Sequence, residues 1–200
     1  MPPGARIDRR RRETLDLEAL TFTPVTPATW PRFEAFFSGP GAPKHCWCMV
    51  WRRTSQEAKL QDGADRKRMM KARVEAGTPV GLLASIGEQT VGWVSIGPRE
   101  SHRNLGGPPA EEGERIWSLA CFYVPRRFRG QALVRRLIVG AVDHARSAGA
   151  TLVEAYPVDE DAPSYRFMGF VGTFLDAGFH PAGRAGVRRH VMRLPVAGKL

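Results

Sequence analysis

The chain has 200 residues, of which 42% are hydrophobic and 25% are charged, which is the composition of an ordinary globular domain and excludes a disordered or fibrous chain. The sequence contains no apolar run near the roughly 18 residues that a membrane-spanning helix needs. Its basic N-terminus has no apolar segment behind it, so no secretory signal is predicted. We therefore expect a cytoplasmic protein.

The formal net charge of +10 first suggests nucleic acid as a partner. Residues 1–20 contribute only +1, because they hold five arginines and four acids, and the remaining +9 belongs to the rest of the chain. Five arginines fall within residues 126–136. Such a concentrated patch suits a polyanionic small ligand as well as a nucleic acid, and the chain has no nucleic-acid motif, so nucleic acid is not the expected partner.

Three cysteines are present, Cys46, Cys48 and Cys121. An odd, small number without a signal peptide favours reduced thiols over a disulfide framework. The run from His45 to Cys48 raises the possibility of zinc, but its Cys-x-Cys spacing is too short for a typical structural site and no second ligand pair is evident. The sequence predicts no metal.

The periodicity of apolar residues and the turn residues divide the chain into alternating helices and strands. In chain order we predict a flexible tail at 1–20, a strand at 22–25, a helix at 26–38, a helix at 62–75, strands at 80–85 and 90–96, a loop at 100–113, a strand at 116–124, a helix at 132–147, a strand at 151–158, a largely helical segment at 165–177 and a strand at 187–194. The strand at 116–124 is almost entirely apolar and should be buried on both faces. This order predicts one mixed α/β (α+β) sheet domain at 21–195, followed by a short tail at 196–200.

The most informative stretch is the turn between the buried strand and the helix at 132–147. The first N–H groups of that helix have no intrahelical partner and lie at the positive end of its dipole, which makes an anion site. Gly130 and Ala132 are small enough to let a phosphate approach the backbone, and Arg126, Arg127 and Arg129 add positive charge. The physical chemistry predicts a phosphate-bearing ligand, against the alternative of a tight connection with solvated arginines.

The same turn resembles a known family signature. The run Arg127-Phe-Arg-Gly-Gln-Ala132 matches the Gln/Arg-x-x-Gly-x-Gly/Ala signature of the GNAT N-acetyltransferases. The chain is similar to this family over residues 21–195, and to a bacterial branch that carries a Cys-Trp-Cys-Met-x-Trp-Arg block. The blocks shared with that branch are Cys46–Arg52, Gly92-Trp93, Gly97-Pro98-Arg99, Tyr156–Asp159 and Gly172–Phe179.

The resemblance implies a GNAT-like fold, with a central twisted mixed sheet flanked by helices on both faces, and acetyl-CoA as acetyl donor. The pyrophosphate would rest on the backbone amides of the turn, and the pantetheine arm would pair with the backbone of the preceding strand like an added strand. The side chain of Arg126, Arg127 or Arg135 would meet the 3′-phosphate. The residues implied in cofactor binding are Phe122, Val124, Arg127, Arg129, Gly130, Gln131, Ala132, Leu133 and Val134.

The resemblance also implies direct attack of a neutral amine on the thioester, with the N–H of Val124 as oxyanion donor. Many family members carry a tyrosine where this chain has Phe174. Tyr165 is a candidate substitute, Glu114 a candidate base acting through water, and His45 a base in the loop over the acceptor pocket. Each has a plainer alternative: a surface helix residue for Tyr165, a solvated loop acid for Glu114 and a turn cap for His45.

Two rival functions stay open at this point. One is a noncatalytic acyl-CoA-binding module, which the phenylalanine at position 174 favours. The other is an acetyltransferase acting on a nucleic-acid-linked or protein amine, which the charge favours. We expect a small-molecule amine as acceptor, no membrane partner, and a monomer or homodimer.

Overall fold

The computed structural model describes residues 13–59 and 62–196, so most of the predicted N-terminal tail and residues 197–200 lie outside the described part. Four α-helices and seven strands are formed. The helices are α1 (Trp30–Ser38), α2 (Gly63–Glu75), α3 (Leu133–Ser147) and α4 (Val171–Asp176), and the strands are β1 (Leu20–Pro24), β2 (Leu82–Ile86), β3 (Gln89–Pro98), β4 (Ile116–Tyr123), β5 (Leu152–Ala155), β6 (His180–Ala185) and β7 (Arg189–Pro195). No helix among these is long and apolar enough to cross a bilayer.

The strands form one mixed sheet in the order β1-β2-β3-β4-β5-β7-β6. Strands β4 and β5 pair in parallel, and the other neighbours pair antiparallel. Every residue of β4 is buried, as expected for a central strand covered on both faces. The predicted fold class, a mixed α+β domain with helices on both faces of the sheet, is confirmed.

Two apolar clusters cover the two faces of the sheet. On one face, α3 and Phe174 of α4 pack against Leu119 and Phe122 of β4. On the other face, α1 and α2 pack against Cys121 and Tyr123. Helix α1 buries the three aromatic residues that its spacing predicts, and α2 is capped by Asp62, whose carboxylate accepts the N–H of Ala64.

Strand β4 contains one extra residue that changes which face its side chains meet. Ser95 of β3 lies opposite Cys121, and the next residue of β3, Ile96, lies opposite Leu119. Ala120 is therefore a bulge residue with no partner in the ladder. Because of it, Cys121 faces α1 and α2 instead of α3, so the end of β4 presents thiol and phenol groups to that side.

The same end of β4 lacks a partner on its β5 side. The two strands pair over only four residues, from Ile116 opposite Leu152 to Leu119 opposite Ala155. Beyond this point β5 ends, while β4 continues to Tyr123 beside β3. The sheet therefore opens at the carboxyl end of β4, where the turn toward α3 begins.

The predicted helix at 165–177 is wrong as one element. The chain forms a 3₁₀ turn, Arg166–Met168, and then the short α4. Gly169 separates them with a φ of +87°, and a Cβ at this position would lie 2.8 Å from the ring of Phe174. The positive φ interrupts the helix and lets the ring pack against the backbone.

Two further boundaries differ from the sequence prediction. Strand β6 was missed, since a segment with proline and glycine carries little β-propensity. The predicted flexible tail at 1–20 extends too far toward the domain. Leu15 and Leu17 pack against the core cluster, and Leu20 already belongs to β1. Their apolar periodicity is hard to recognise because Leu15 and Leu17 stand next to the acids Asp16 and Glu18 in a charged segment.

Candidate active site

A cavity of about 720 Å³ lies at the open end of β4. One wall comes from the segment between α1 and α2 and from α2 itself, and the other from the 3₁₀ turn and the start of α4. The residues lining it are Pro43, His45, Cys46, Cys48, Val50, Arg53, Arg66, Cys121, Phe122, Tyr123, Val124, Arg129, Val134, Arg166, Phe167, Gly169, Phe170 and Thr173. Its volume suits a small molecule.

A second cavity of about 340 Å³ adjoins the first at the turn before α3. Four residues line both cavities: Val124, Arg129, Val134 and Thr173. The two cavities therefore form one cleft, which runs from the start of α3 along the end of β4 to the α1–α2 segment. We call the part of the cleft near α3 the turn half and the part near α2 the α2 half.

The backbone of the turn is built to accept an anion. Gly130 has a φ of +78° and Ala132 a φ of +60°, and no side chain caps the first turn of α3. The N–H of Arg135 already donates to the carbonyl of Ala132 at 3.0 Å. Within the described residues the N–H groups of Leu133 and Val134 have no acceptor. Those free donors and the helix dipole both favour a bound phosphate at the turn half.

The predicted cofactor side chains around the turn have specific partners. Arg129 donates from Nε to the carbonyl oxygen of Val124 at 2.9 Å and so fixes the end of β4. Arg127 stacks on Phe128, with its guanidinium carbon 4.4 Å from the ring centroid, and its Nε lies 3.6 Å from a carboxylate oxygen of Glu13. Both residues keep positive charge close to the turn.

Gln131, also predicted to bind the cofactor, directs its side chain to the N-terminal segment. Its amide nitrogen donates to the carbonyl of Glu13 at 2.6 Å, and its amide oxygen accepts the N–H of Leu15 at 2.9 Å. Only the backbone of Gln131 is therefore disposed toward a ligand at the turn. The side chain instead anchors residues 13–15.

The three thiols lie together in the α2 half. Trp93 donates from Nε1 to Cys48 Sγ at 3.0 Å, and Cys48 Sγ lies 3.3 Å from Cys121 Sγ. Burial raises the pKa of Cys46 to about 11 and that of Cys48 well above its usual value. These groups stay neutral thiols near neutral pH, so they are poor nucleophiles and poor metal ligands. The described residues contain no group of three side chains disposed to hold a metal ion.

Arg52, the last residue of the Cys-Trp-Cys block, fixes this loop to the sheet. Its guanidinium donates to the carbonyl of Val80 and to the hydroxyl of Ser101, each at 3.0 Å, and to the hydroxyl of Ser95 at 3.3 Å. Burial lowers its pKa to about 10, so it remains charged near neutral pH. The block therefore positions the wall of the α2 half through a buried cation.

The structure brings only one of the three proton-transfer candidates to the cleft. His45 lies at its rim with an exposed side chain. Tyr165 does not line the cavity: its ring packs at 5.9 Å from the ring of Trp51, and the guanidinium of Arg189 lies over it. Phe174 is fully buried between Phe122 and Phe179 and brings no proton donor.

Glu114 lies at the opposite end of β4 from Val124. The eight residues of β4 separate the two positions, which at about 3.3 Å per residue is roughly 25 Å. Its carboxylate accepts the N–H of Glu111 at 2.8 Å and lies 4.0 Å from Arg193. Glu114 is therefore not placed to act as a base on the acceptor, because the whole length of β4 lies between it and the cleft.

Glu154, a carboxylate on β5, is fully buried and does not line the cleft. It accepts a hydrogen bond from Nε of Arg193 at 2.8 Å and one from the hydroxyl of Tyr156, and Nε of Arg99 lies 3.7 Å away. Burial and this carboxylate raise the pKa of Tyr156. The cluster joins β5 to β7 and to the loop after β3, which is a structural role.

Sequence reasoning missed several side chains of the cleft. They are Arg53, Arg66, Cys121, Tyr123, Arg166, Phe167, Phe170 and Thr173. Cys121 and Tyr123 face the cleft because of the bulge at Ala120. No local sequence pattern predicts that bulge. The arginines stand among many others in the sequence, and the only available signal was that helix α2 is basic around Arg66.

The model of the acetyltransferase (GNAT) family matches residues 43–170. Comparison with functionally curated proteins gave no match.

Similar folds occur among solved structures. An uncharacterized protein from Bacillus halodurans is 13% identical with a TM-score of 0.58, and 88% of this chain and 83% of that chain are covered. The protein yncA from Salmonella typhimurium, solved with its cofactor acetyl-CoA, is 19% identical with a TM-score of 0.52, covering 90% of this chain and 96% of that one. A GNAT-family acetyltransferase from Streptococcus pneumoniae is 14% identical with a TM-score of 0.52, covering 89% and 99%. Because the family model spans more than half of the sequence, and the sheet and the turn agree with it, the chain belongs to the GNAT family of acetyltransferases.

Proposed function

We propose that this protein transfers the acetyl group of acetyl-CoA to the amine of a small molecule, by direct attack of the neutral amine on the thioester. The observation that carries the proposal is the uncapped start of α3, which opens directly into the cavity at the free end of β4. A phosphate-bearing cofactor held at the turn half would extend its acyl end toward the α2 half. The amine acceptor then occupies the remaining space.

In this proposal the backbone amides from Gly130 to Val134 hold the pyrophosphate, since the N–H of Arg129 already donates to the carbonyl of Arg126. The free edge of β4 at Phe122 and Val124 pairs with the amides of the pantetheine arm. The N–H of Val124 stabilises the oxyanion that forms at the thioester carbonyl. The bond between Arg129 and the Val124 carbonyl holds this end of the strand in place, so the donor is positioned before the reaction begins.

Proton transfer in the proposal needs little from the protein. Among the described residues that line the cavity there is no carboxylate, and His45 is the only imidazole. Four arginines line the same cavity, and their positive charge favours the neutral form of an incoming amine. His45 at the rim then accepts the proton that the amine loses after attack, through water.

The binding half of the proposal is tested by comparing acetyl-CoA with acetyl-pantetheine, which lacks the pyrophosphate. Saturating acetyl-CoA should raise the melting temperature, and acetyl-pantetheine should raise it far less, because a ligand stabilises the state to which it binds tightly. Equal effects of the two compounds would show that the turn does not hold the cofactor.

The catalytic half is tested by following release of free CoA with a panel of small amines, peptides and aminoacylated RNA. Turnover with small amines supports the proposal over a noncatalytic acyl-CoA-binding module. Turnover confined to peptides or RNA would replace the small-molecule acceptor with a macromolecular one. The volume of the cavity, about 720 Å³, is within the range of small-molecule sites and favours the first result.

A further inference from the structure

The α2 half of the cleft is strongly positive. Three arginines line it: Arg53 follows the Cys-Trp-Cys block, Arg66 lies on α2, and Arg166 lies on the opposite wall. No aspartate or glutamate is among the described residues that line this cavity. The field inside the α2 half is therefore set by cations that face one another across a small volume.

These arginines are separate from the positive charge that serves the turn half. The cofactor phosphates would lie at the start of α3, where Arg129 and Arg135 line the smaller cavity. Arg53, Arg66 and Arg166 line only the larger cavity. The pantetheine arm that connects the two halves carries no charge, so it supplies no counterion to the α2 half.

The contacts of Arg66 and Arg166 hold them in place without neutralising them. Arg66 donates from Nη1 to the backbone carbonyl of His45, and its buried Nε has no acceptor among the described residues. Arg166 donates from Nη1 to the backbone carbonyls of Glu160 and Ala162. Carbonyl acceptors orient a guanidinium but leave its positive charge available to a ligand.

The wall that carries Arg53 is also fixed. Arg73 of α2 donates to the carbonyl of Arg52 at 2.8 Å and to both carboxylate oxygens of Glu57, at 2.7 and 3.0 Å. This arrangement lowers the pKa of Glu57 to about 2, mainly through the hydrogen bonds from Arg73. The segment that presents Arg53 is therefore held to α2 on both sides of that residue.

We infer that the acceptor amine carries an anionic group, a carboxylate or a phosphonate, which Arg66 and Arg166 bind in the α2 half. The inference rests on the proposed function, since it names the class of molecule that the same cleft acetylates. Phe167 and Phe170 add apolar surface beside the cations, and the guanidinium of Arg166 lies 4.7 Å from the ring of Phe170. Polyamines and other polycationic amines are disfavoured, because a second positive charge would meet the arginines.

The test measures binding of matched amines to the protein saturated with CoA, by calorimetry. The pairs are L-phenylalanine with L-phenylalaninamide, β-alanine with its amide, and aminomethylphosphonate with its diethyl ester. The anionic member of at least one pair should bind about tenfold tighter or more, since a charge-assisted pair is lost in its partner. The carboxylate and phosphonate pairs distinguish the two kinds of anion.

Variants of the arginines test the assignment to residues. Arg66→Gln and Arg166→Gln should each remove most of the preference for the anion, and Arg166→Lys should keep part of it. Arg68→Gln is the matched control, because Arg68 lies on the same helix, is largely exposed and pairs with Asp65. It should leave the preference unchanged. Arg166 is exposed, so its replacement tests the inference even where Arg66→Gln fails to fold.

The outcomes separate this inference from the proposed function. No preference in any pair, or a preference that survives in both glutamine variants, would overturn the inference. Acetyl-CoA binding is measured separately on CoA-free protein and should be unchanged in every variant, because these arginines lie away from the turn. If the parent protein does not bind acetyl-CoA, the proposed function fails, whatever the amines show.

Discussion

The two halves of the cleft are built in different ways. The turn half depends mainly on backbone groups of the consecutive residues Phe122 to Val134, with two positive φ angles and a helix start, although the side chains of Arg135 and Thr173 also line it. The α2 half comes from side chains that lie far apart in the sequence, such as Cys46, Arg66 and Arg166. A site made of local backbone is specified by a short motif, whereas a site made of side chains is specified by the packing of the whole domain. The cofactor is thus the part of the reaction that a sequence reveals first.

The largest expected effect lies outside both halves, at the buried carboxylate of Glu154. Glu154→Ala should lower the free energy of unfolding by about 3–5 kcal/mol, because it removes a fully buried carboxylate that accepts hydrogen bonds from the largely buried Arg193 and from the hydroxyl of Tyr156. For a chain of this size the melting temperature should fall by roughly 10 °C. At low temperature the folded variant should bind acetyl-CoA like the parent, since Glu154 does not line the cleft.

Glu114→Ala is the matched control, because Glu114 also lies near Arg193, but at 4.0 Å and with partial exposure. Its effect on stability should stay within about 1 kcal/mol. A loss of acetyl-CoA affinity in folded Glu154→Ala would show that the Glu154 cluster and the cleft are coupled, and not separate as described above.

Gly130→Val tests the turn half directly. The substitution places a β-branched side chain at a φ of +78° beside the exposed amides. Losing two or three charge-assisted hydrogen bonds to phosphate should weaken acetyl-CoA binding by about a hundredfold or more. Calorimetry measures the affinity, and circular dichroism establishes that the variant is folded.

Gly87→Val separates backbone strain from lost binding. Gly87 also has a positive φ, of +56°, and a Cβ there would meet nothing within 4 Å. It lies between β2 and β3, away from the cleft. We expect a similar loss of stability with unchanged affinity. Parent-like binding by folded Gly130→Val would mean that the cofactor is not held at this turn.

The thiols of the α2 half should be slow to react. With a pKa of about 11, Cys46 is about one-thousandth thiolate at pH 8, so iodoacetamide should modify it about a hundredfold more slowly than it modifies an unfolded chain. Because burial raises this pKa, the rate should keep increasing with pH up to about 11. Peptide mass spectrometry after timed labelling measures it. Labelling at the rate of a free thiol at pH 8 would mean that the α2 half is open to water.

The smallest effect is expected at His45. His45→Ala should lower kcat by less than about tenfold, because the positive cavity already favours the neutral amine and the imidazole stands only at the rim. A pH–rate profile with any productive amine measures the change. A loss of a thousandfold would show that the α2 half depends on a dedicated base.

The sequence predicted the elements whose apolar spacing is regular and the site whose chemistry is local. Helix α3 and strand β4 fall where periodicity put them, and the turn between them has the positive φ angles that its small residues allow. The roles expected of Tyr165 and Glu114 depended on tertiary placement: Tyr165 packs against Trp51 outside the cleft, and the length of β4 separates Glu114 from it. Strand β6 failed because pairing with β7, not intrinsic propensity, makes it a strand.

The arginines of the α2 half were hidden for a different reason. Each is one of many basic residues in a chain of net charge +10, and only packing decides which of them share a cavity. The bulge at Ala120 could not be predicted from the sequence either, although it determines that Cys121 faces the cleft.

The bonds from the Gln131 side chain to Glu13 and Leu15 make the N-terminal segment a reporter of the cofactor turn. Any ligand that stiffens the turn also slows the opening that exposes the Leu15 amide to exchange with deuterated water. Because linkage is reciprocal, a fusion partner that pulls this segment away from the turn also changes the affinity of the turn for the cofactor. An affinity tag placed at the N-terminus is therefore not a neutral choice for binding measurements.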